Sequence, residues 1–242
     1  MIRFLLIALL LFLYLLLGIP VLLVEKLVAK INPHARDISC LRMVQWAFKL
    51  MLWITGADIS YIGRENVPKD RAVLYVGNHN SYFDILLTYS QCPGLTGYVA
   101  KSEMLRYPLL RDWMKRLYCV FLDRSDLRAG MQMILTCIDY IKNGISICIF
   151  PEGTRSKDGQ MQPFHEGSLK MAAKTGCPII PMAISNSAQI FENHMPFVRP
   201  CKVIVEYGAL VYPKELSKED QKFLGAYTQK KIQEMLDQHH ID

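Results

Sequence analysis

This 242-residue chain has little that would make a disulfide framework or a structural metal site. Its seven cysteines, at 40, 92, 119, 137, 148, 177 and 201, form no CxxC pair, and their number is odd. Cys148 lies in the apolar run Ser146-Ile-Cys-Ile-Phe150, where a thiol behaves as a small hydrophobe. The pattern argues against a stapled secreted scaffold and predicts a reduced, cytoplasmic domain. A long basic run is also missing. Lys and Arg number 28 against 22 Asp and Glu, and a formal charge of +6 spread this way is no nucleic-acid footprint. The chain lacks a dinucleotide-binding glycine fingerprint, internal repeats, low-complexity tracts and a clear linker. It also lacks a Gly-x-Ser-x-Gly elbow, which removes the usual serine-esterase route.

Charge is scarcest at the start, where Arg3 is the one charged residue among the first 24. Phe4 to Val24 reads FLLIALLLFLYLLLGIPVLLV, and as a helix such a run reaches roughly 30 Å, the thickness of a hydrocarbon core. Glu25-Lys-Leu-Val-Ala-Lys30 follows in place of a small-x-small cleavage site, so a retained segment is expected rather than a cleaved signal. Gly18 and Pro20 interrupt a straight span. A second segment, Leu41 to Ile54, sets Trp46, Phe48 and Trp53 beside Arg42 and Lys49. That composition suits a helix lying in the headgroup plane, and equally a helix packed on a core. Residues 1–55 are read as a membrane-attachment element of one hydrophobic and one amphipathic helix, and 56–242 as the globular domain it carries. The sequence leaves open whether the first helix crosses the bilayer or enters one leaflet.

Beyond Gly56 the periodicity changes. Short β-rich runs lie at 72–76, 97–100, 118–122, 145–150, 179–184 and 202–207, with helical patterns at 82–90, 107–116, 127–142 and 167–175. Along 127–142 the apolar residues Leu127, Met131, Ile134, Leu135, Ile138 and Ile141 predict one buried face. A terminal helix is expected from Ser217, where Ser-x-x-Asp220 can cap it, with Leu224, Tyr227, Ile232 and Met235 inward. Near-continuous apolar strands alternating with amphipathic helices predict an α/β fold, its sheet covered on both faces.

Two heptapeptides carry chemistry. Asn78-His-Asn-Ser-Tyr-Phe-Asp84 follows the first of those strands, and the carboxyl end of a strand is where such sheets place ligands. His79 can take a proton from a hydroxyl near neutral pH, and Asp84 in the first turn of the next helix can reach back to orient the ring. The competing reading is plain capping, because Ser81-x-x-Asp84 is itself a capping box. Phe150-Pro-Glu-Gly-Thr-Arg-Ser156 follows a later strand. Gly153 allows close backbone approach there and Arg155 offers a planar fork for a phosphate, although a turn with a surface Glu–Arg pair explains it too.

Taken together, these segments resemble the glycerophospholipid acyltransferase family, nearest to bacterial 1-acyl-sn-glycerol-3-phosphate acyltransferases. The resemblance covers roughly residues 60–215 and includes Lys101-Ser-Glu103 with Pro108, Phe121-Leu-Asp123-Arg124 and Pro178-Ile-Ile-Pro181-Met-Ala-Ile184. It implies a mixed sheet flanked by helices, His79 as general base, Asp84 as its partner, and Glu152, Gly153, Thr154 and Arg155 as the acceptor-binding stretch. Lys101 and Arg124 are implied as further phosphate ligands, and Pro178–Ile184 as a wall of the acyl path. The implied reaction moves an acyl group from a coenzyme A or acyl carrier protein thioester to the sn-2 hydroxyl of lysophosphatidic acid. It needs no metal and no cofactor beyond that co-substrate. The implied partners are membrane lipid and acyl carrier protein, at a cell membrane with the catalytic domain on the cytoplasmic side. Another lysolipid or a glycerol phosphate acceptor, hydrolysis through His79 and a non-catalytic lipid-binding scaffold are the alternatives. The chain departs from the family where Arg111 and Tyr118 stand at positions often glycine, and where His165-Glu166 stands in place of a common lysine.

Overall fold

The structure, a computed structural model, describes residues 1–123, 126–156 and 158–239. Seven strands form one sheet: β1 (Asp58–Ile62), β2 (Leu74–Gly77), β3 (Thr96–Lys101), β4 (Val120–Leu122), β5 (Ser146–Ile149), β6 (Ile179–Ser185) and β7 (Lys202–Tyr207). Their spatial order is β1-β7-β6-β2-β5-β3-β4. Strands β2 to β6 are mutually parallel, β7 runs antiparallel to β6, and β1 pairs parallel with β7. The sheet is therefore mixed, as the resemblance implied. Strand β1 was not expected. Its Asp-Ile-Ser-Tyr-Ile sequence alternates exposed and half-buried residues, unlike the fully buried runs of β2, β5 and β6.

Successive strand residues point to opposite faces, which gives the sheet two cores. Tyr75, Cys148, Ile180 and Met182 pack on one face with Leu22 of α1 (Ile2–Ile31), Leu41 and Leu52 of α2 (Pro33–Thr55), Leu87 of α3 (Phe83–Tyr89) and Trp113 of α4 (Pro108–Arg116). On the other face Leu74, Val76, Ile147 and Ile179 meet Met133 and Cys137 of α5 (Leu127–Lys142), Met171 of α6 (Lys170–Thr175) and Ile232 of α8 (Leu224–Gln238). Both flanks of the sheet are thus covered by helices. Along α5 the inward face is Met133, Cys137 and Ile141 with Ile134 and Ile138 packed beside them, while Leu127, Met131 and Leu135 are exposed, so the face read from the sequence holds for its three isoleucines and is corrected for the other three residues. The helix expected from Ser217 is two pieces: α7 (Lys218–Lys222), capped by Ser217, and α8, parted by Phe223.

Helix α1 has a window of mean hydropathy 2.9 and is long and apolar enough to cross a membrane. Much of its surface, including Leu5, Leu9, Phe12 and Leu16, is exposed. One side packs inward: the Tyr14 and Trp113 rings lie 5.2 Å apart, and a Cβ on Gly18 would come within 2.9 Å of Trp113 Nε1. Arg116 donates to the Leu22 carbonyl at 2.9 Å. Helix α2 is two-sided. Cys40, Leu41, Val44, Ala47, Met51 and Leu52 face the core, and Gln45 donates to the carbonyls of Tyr89, the last residue of α3, and of Cys92 just beyond it. On the outward side Arg42, Trp46, Lys49 and Trp53 recur at steps of four and three as one exposed stripe. All seven cysteines are free thiols.

Candidate active site

The parallel strands β2, β3 and β5 end on one edge of the sheet, and the two heptapeptides meet there. Tyr75, Cys148 and Tyr98 occupy one row across these strands. Lys101 therefore stands as far beyond that row as Asn78 and Pro151 do. Gly77 closes β2, and a Cβ on it would come within 3.2 Å of the Phe150 ring. Its bare backbone lets Phe150 lie flat against His79, with ring centroids 4.4 Å apart and planes 15° from parallel. Asn78 is consumed by the scaffold. Its amide donates to the Ile184 carbonyl at 2.9 Å and accepts from the Ile184 N–H at 2.8 Å, adding a rung between β2 and β6.

His79 is fixed at both its backbone and its ring. Its N–H donates to Glu152 Oε1 at 2.7 Å, and its carbonyl accepts from the Ser156 N–H at 2.8 Å, so the second heptapeptide grips the residue from both sides. The ring's Nδ1 lies 2.8 Å from Asp84 Oδ2. That oxygen also accepts the N–H groups of Asn80 at 2.7 Å and Ser81 at 2.8 Å. Asp84 thus serves as an acceptor, so in a neutral ring Nδ1 is the donor and Nε2 is left with the lone pair. Among the described residues nothing hydrogen-bonds to Nε2. The His79 side chain is 16% exposed over an Asp84 side chain that is fully buried. Capping and ring orientation, set against each other by the sequence, coexist: Ser81 Oγ accepts the Phe83 N–H at 3.0 Å while Asp84 holds the imidazole.

Glu152 is buried, with one oxygen on the His79 N–H and the other on the Gln162 N–H at 2.8 Å. Burial pushes its carboxyl above the usual range, and the two amide hydrogen bonds pull it back. Its oxygens are committed to holding the loop rather than turned to a ligand. Gly153 takes φ +75°, a region that favours glycine, and Thr154 beside it is exposed. Arg155 stacks on Tyr82, with Cζ 3.5 Å from the ring centroid, and pairs with Glu192 Oε1 at 3.1 Å. Lys101, at the end of β3, is exposed and makes no ion pair among the described residues. Arg124 lies outside the described residues. Also among the described residues, no group of three or more His, Cys, Asp or Glu is arranged to hold a metal ion.

Three contributors escaped the sequence reading. Asn78 and Phe150 lie inside the heptapeptides, but their jobs appear only when strands pair. Glu192, 37 residues past Arg155, gives no local signal. The departures also find local explanations. Tyr118 adopts φ +59°, where glycine costs nothing, and its hydroxyl donates to Asp37 of α2. Glu166 accepts the first N–H groups of α8, from Gly225 at 2.7 Å and Ala226 at 2.9 Å.

A buried carboxylate that orients an imidazole, with guanidinium and ammonium groups on the same sheet edge, can remove a proton from a hydroxyl on an anionic molecule. The model of the acyltransferase family matches residues 58–185. A 1-acyl-sn-glycerol-3-phosphate acyltransferase of Borreliella burgdorferi is 31% identical over 198 residues, 81% of this chain and 78% of that protein. The enzyme of the same name from Limnanthes douglasii is 34% identical over 159 residues, and the match spans 65% of this chain and 56% of the plant protein. The crystal structure of the 1-acyl-sn-glycerophosphate acyltransferase PlsC from Thermotoga maritima superposes with a TM-score of 0.84 at 26% identity, over 98% of this chain and 94% of that one. With both heptapeptides inside the matched segment and the whole sheet shared with a solved relative, this chain belongs to the acyltransferase family and is an enzyme of it.

Proposed function

We propose that the protein transfers a fatty acyl group from an acyl thioester to the sn-2 hydroxyl of 1-acyl-glycerol-3-phosphate, giving phosphatidic acid. The observation that carries this reading is the state of His79, with Nδ1 held by buried Asp84 and Nε2 without a hydrogen bond among the described residues. Arg155 and Lys101 bind the acceptor's phosphate. Nε2 takes the hydroxyl proton as the oxygen attacks the thioester carbonyl. The tetrahedral oxyanion then collapses, the carbon–sulfur bond breaks, and the imidazolium returns its proton to the departing sulfur. No covalent enzyme intermediate is needed, because the acceptor hydroxyl is the nucleophile and the thioester is already activated. A near-attack geometry supplies much of the rate. The donor is a coenzyme A or acyl carrier protein thioester.

Residues 1–55 attach the enzyme to a cell membrane, with the catalytic domain on the cytoplasmic face. Two features support this: the exposed leucines of α1, and the Arg42-Trp46-Lys49-Trp53 stripe of α2, which has the composition of a helix at headgroup depth.

The test is acyl transfer by the intact protein in vesicles, offering lysophosphatidic acid or lysophosphatidylcholine with an acyl thioester. Product from lysophosphatidic acid, with kcat reduced about 10³-fold in His79→Ala, is the expected result. Transfer to lysophosphatidylcholine instead would move the headgroup assignment. No thioester-dependent product from either, by folded protein, would overturn the reading.

A further inference from the structure

Glu192 is nearly buried, is absent from both heptapeptides, and holds three groups of the site with one carboxylate. Its Oε2 accepts the Ser81 hydroxyl at 2.7 Å. Its Oε1 accepts the Tyr82 N–H at 2.7 Å and Arg155 Nη1 at 3.1 Å. The guanidinium is thereby clamped from two directions, by Tyr82 beneath it and by Glu192 at one edge, and both clamps are tied to the segment that carries His79 and Asp84. A guanidinium held this way has its plane fixed and loses less freedom when a phosphate arrives.

Glu192 is itself braced from the membrane-facing helix. Phe191, the residue before it, stacks on Phe4 in the first turn of α1, with ring centroids 5.5 Å apart and planes 9° from parallel. We infer that Glu192 is a positioning residue that aims Arg155 at the acceptor's phosphate, and that Phe4 of α1 seats it through Phe191. The inference rests on the acyl-transfer reading for its substrate and goes beyond it by assigning roles to Glu192, Phe191 and Phe4.

The experiment measures KM for lysophosphatidic acid, KM for the acyl thioester and kcat, using the full chain in vesicles for Glu192→Gln, Arg155→Ala and the double variant. Glu192→Gln is expected to raise the acceptor KM about tenfold and leave the thioester KM unchanged. On the Arg155→Ala background it should add nothing, since a residue acting through Arg155 has nothing left to position. Multiplying effects, or an unchanged acceptor KM, would overturn the inference.

Phe4→Ala serves as a second variant outside the hydrogen-bond network. It should raise the acceptor KM about threefold with co-sedimentation on vesicles unchanged, and Phe4→Trp should restore it. A Phe4→Ala enzyme with normal acceptor KM would remove the brace. Binding of lysophosphatidic acid without thioester separates the two ideas. If the wild type binds but transfers nothing, the acyl-transfer reading falls. Glu192→Gln must then still weaken binding only while Arg155 is present, or the positioning role falls as well.

Discussion

The two halves of the site are built to different standards. Around His79 the two carboxylates are buried and bonded to backbone: Asp84 takes the N–H groups of Asn80 and Ser81, and Glu152 takes those of His79 and Gln162. Around Arg155 the groups are long, part-exposed side chains. The Arg155 side chain is 32% exposed, its partner Glu192 14%, and Lys101 stands open at the end of β3. On the proposed function the difference follows from the task. Proton transfer requires a nitrogen placed within a few tenths of an ångström of its target, which backbone amides can guarantee. Recognition of an anionic headgroup requires positive charge on the open side of the site, which Arg155 and Lys101 supply. Damage to the first half should therefore appear in kcat and stability, and damage to the second in acceptor KM.

Asp84→Asn tests the base half most severely. It keeps the volume but gives His79 an amide in place of a full acceptor, and kcat should fall about 10²-fold or more with acceptor KM little changed. A large KM effect would dissolve the distinction between the halves. Glu152→Ala should act chiefly on the fold. It leaves the N–H groups of His79 and Gln162 unpaired, a loss of about 2 kcal/mol or more, read as a lower midpoint in thermal or urea unfolding. An unchanged midpoint would mean water replaces the carboxylate and the grip on His79 is dispensable. Lys101→Ala belongs to the acceptor half and should raise the acceptor KM about threefold while kcat holds. The smallest effect is that of salt. Raising ionic strength should increase the acceptor KM modestly and leave kcat alone, because screening reaches exposed cations and not the buried Asp84–His79 pair.

Much of the base half was legible because its residues are close in sequence. His79 and Asp84 are five apart and follow an apolar strand, so a strand end and one helical turn bring them together. The fit of the second heptapeptide onto the first was not derivable from spacing, since it depends on β2 and β5 lying side by side in register. Glu152 illustrates the limit: the sequence offers it as a ligand, and the pairing of strands turns it into a clamp. Glu192 was invisible because Glu-Asn-His in a loop is indistinguishable from any solvated turn until β6 brings it across to Ser81. In the fold, strand β1 was missed because an edge strand bonded on one side only carries half the apolar signal of a central one. On α5 the isoleucines were placed correctly, and Leu127, Met131 and Leu135 were placed inward because apolar residues also border its solvent side.

Helix α2 carries one consequence for how the enzyme meets its substrate. Its inner side is a wall of the core, and its outer side is the Arg42-Trp46-Lys49-Trp53 stripe, so no tether separates the two. On the membrane reading, the height of His79 above the lipid is a dimension of the folded protein, set by the thickness of a single helix and the layer beneath it. The enzyme then works as a caliper with fixed jaws. A lysolipid must bring its glycerol to that height, and thinning or thickening the headgroup layer should alter the rate even when the chemistry of acceptor and donor is unchanged.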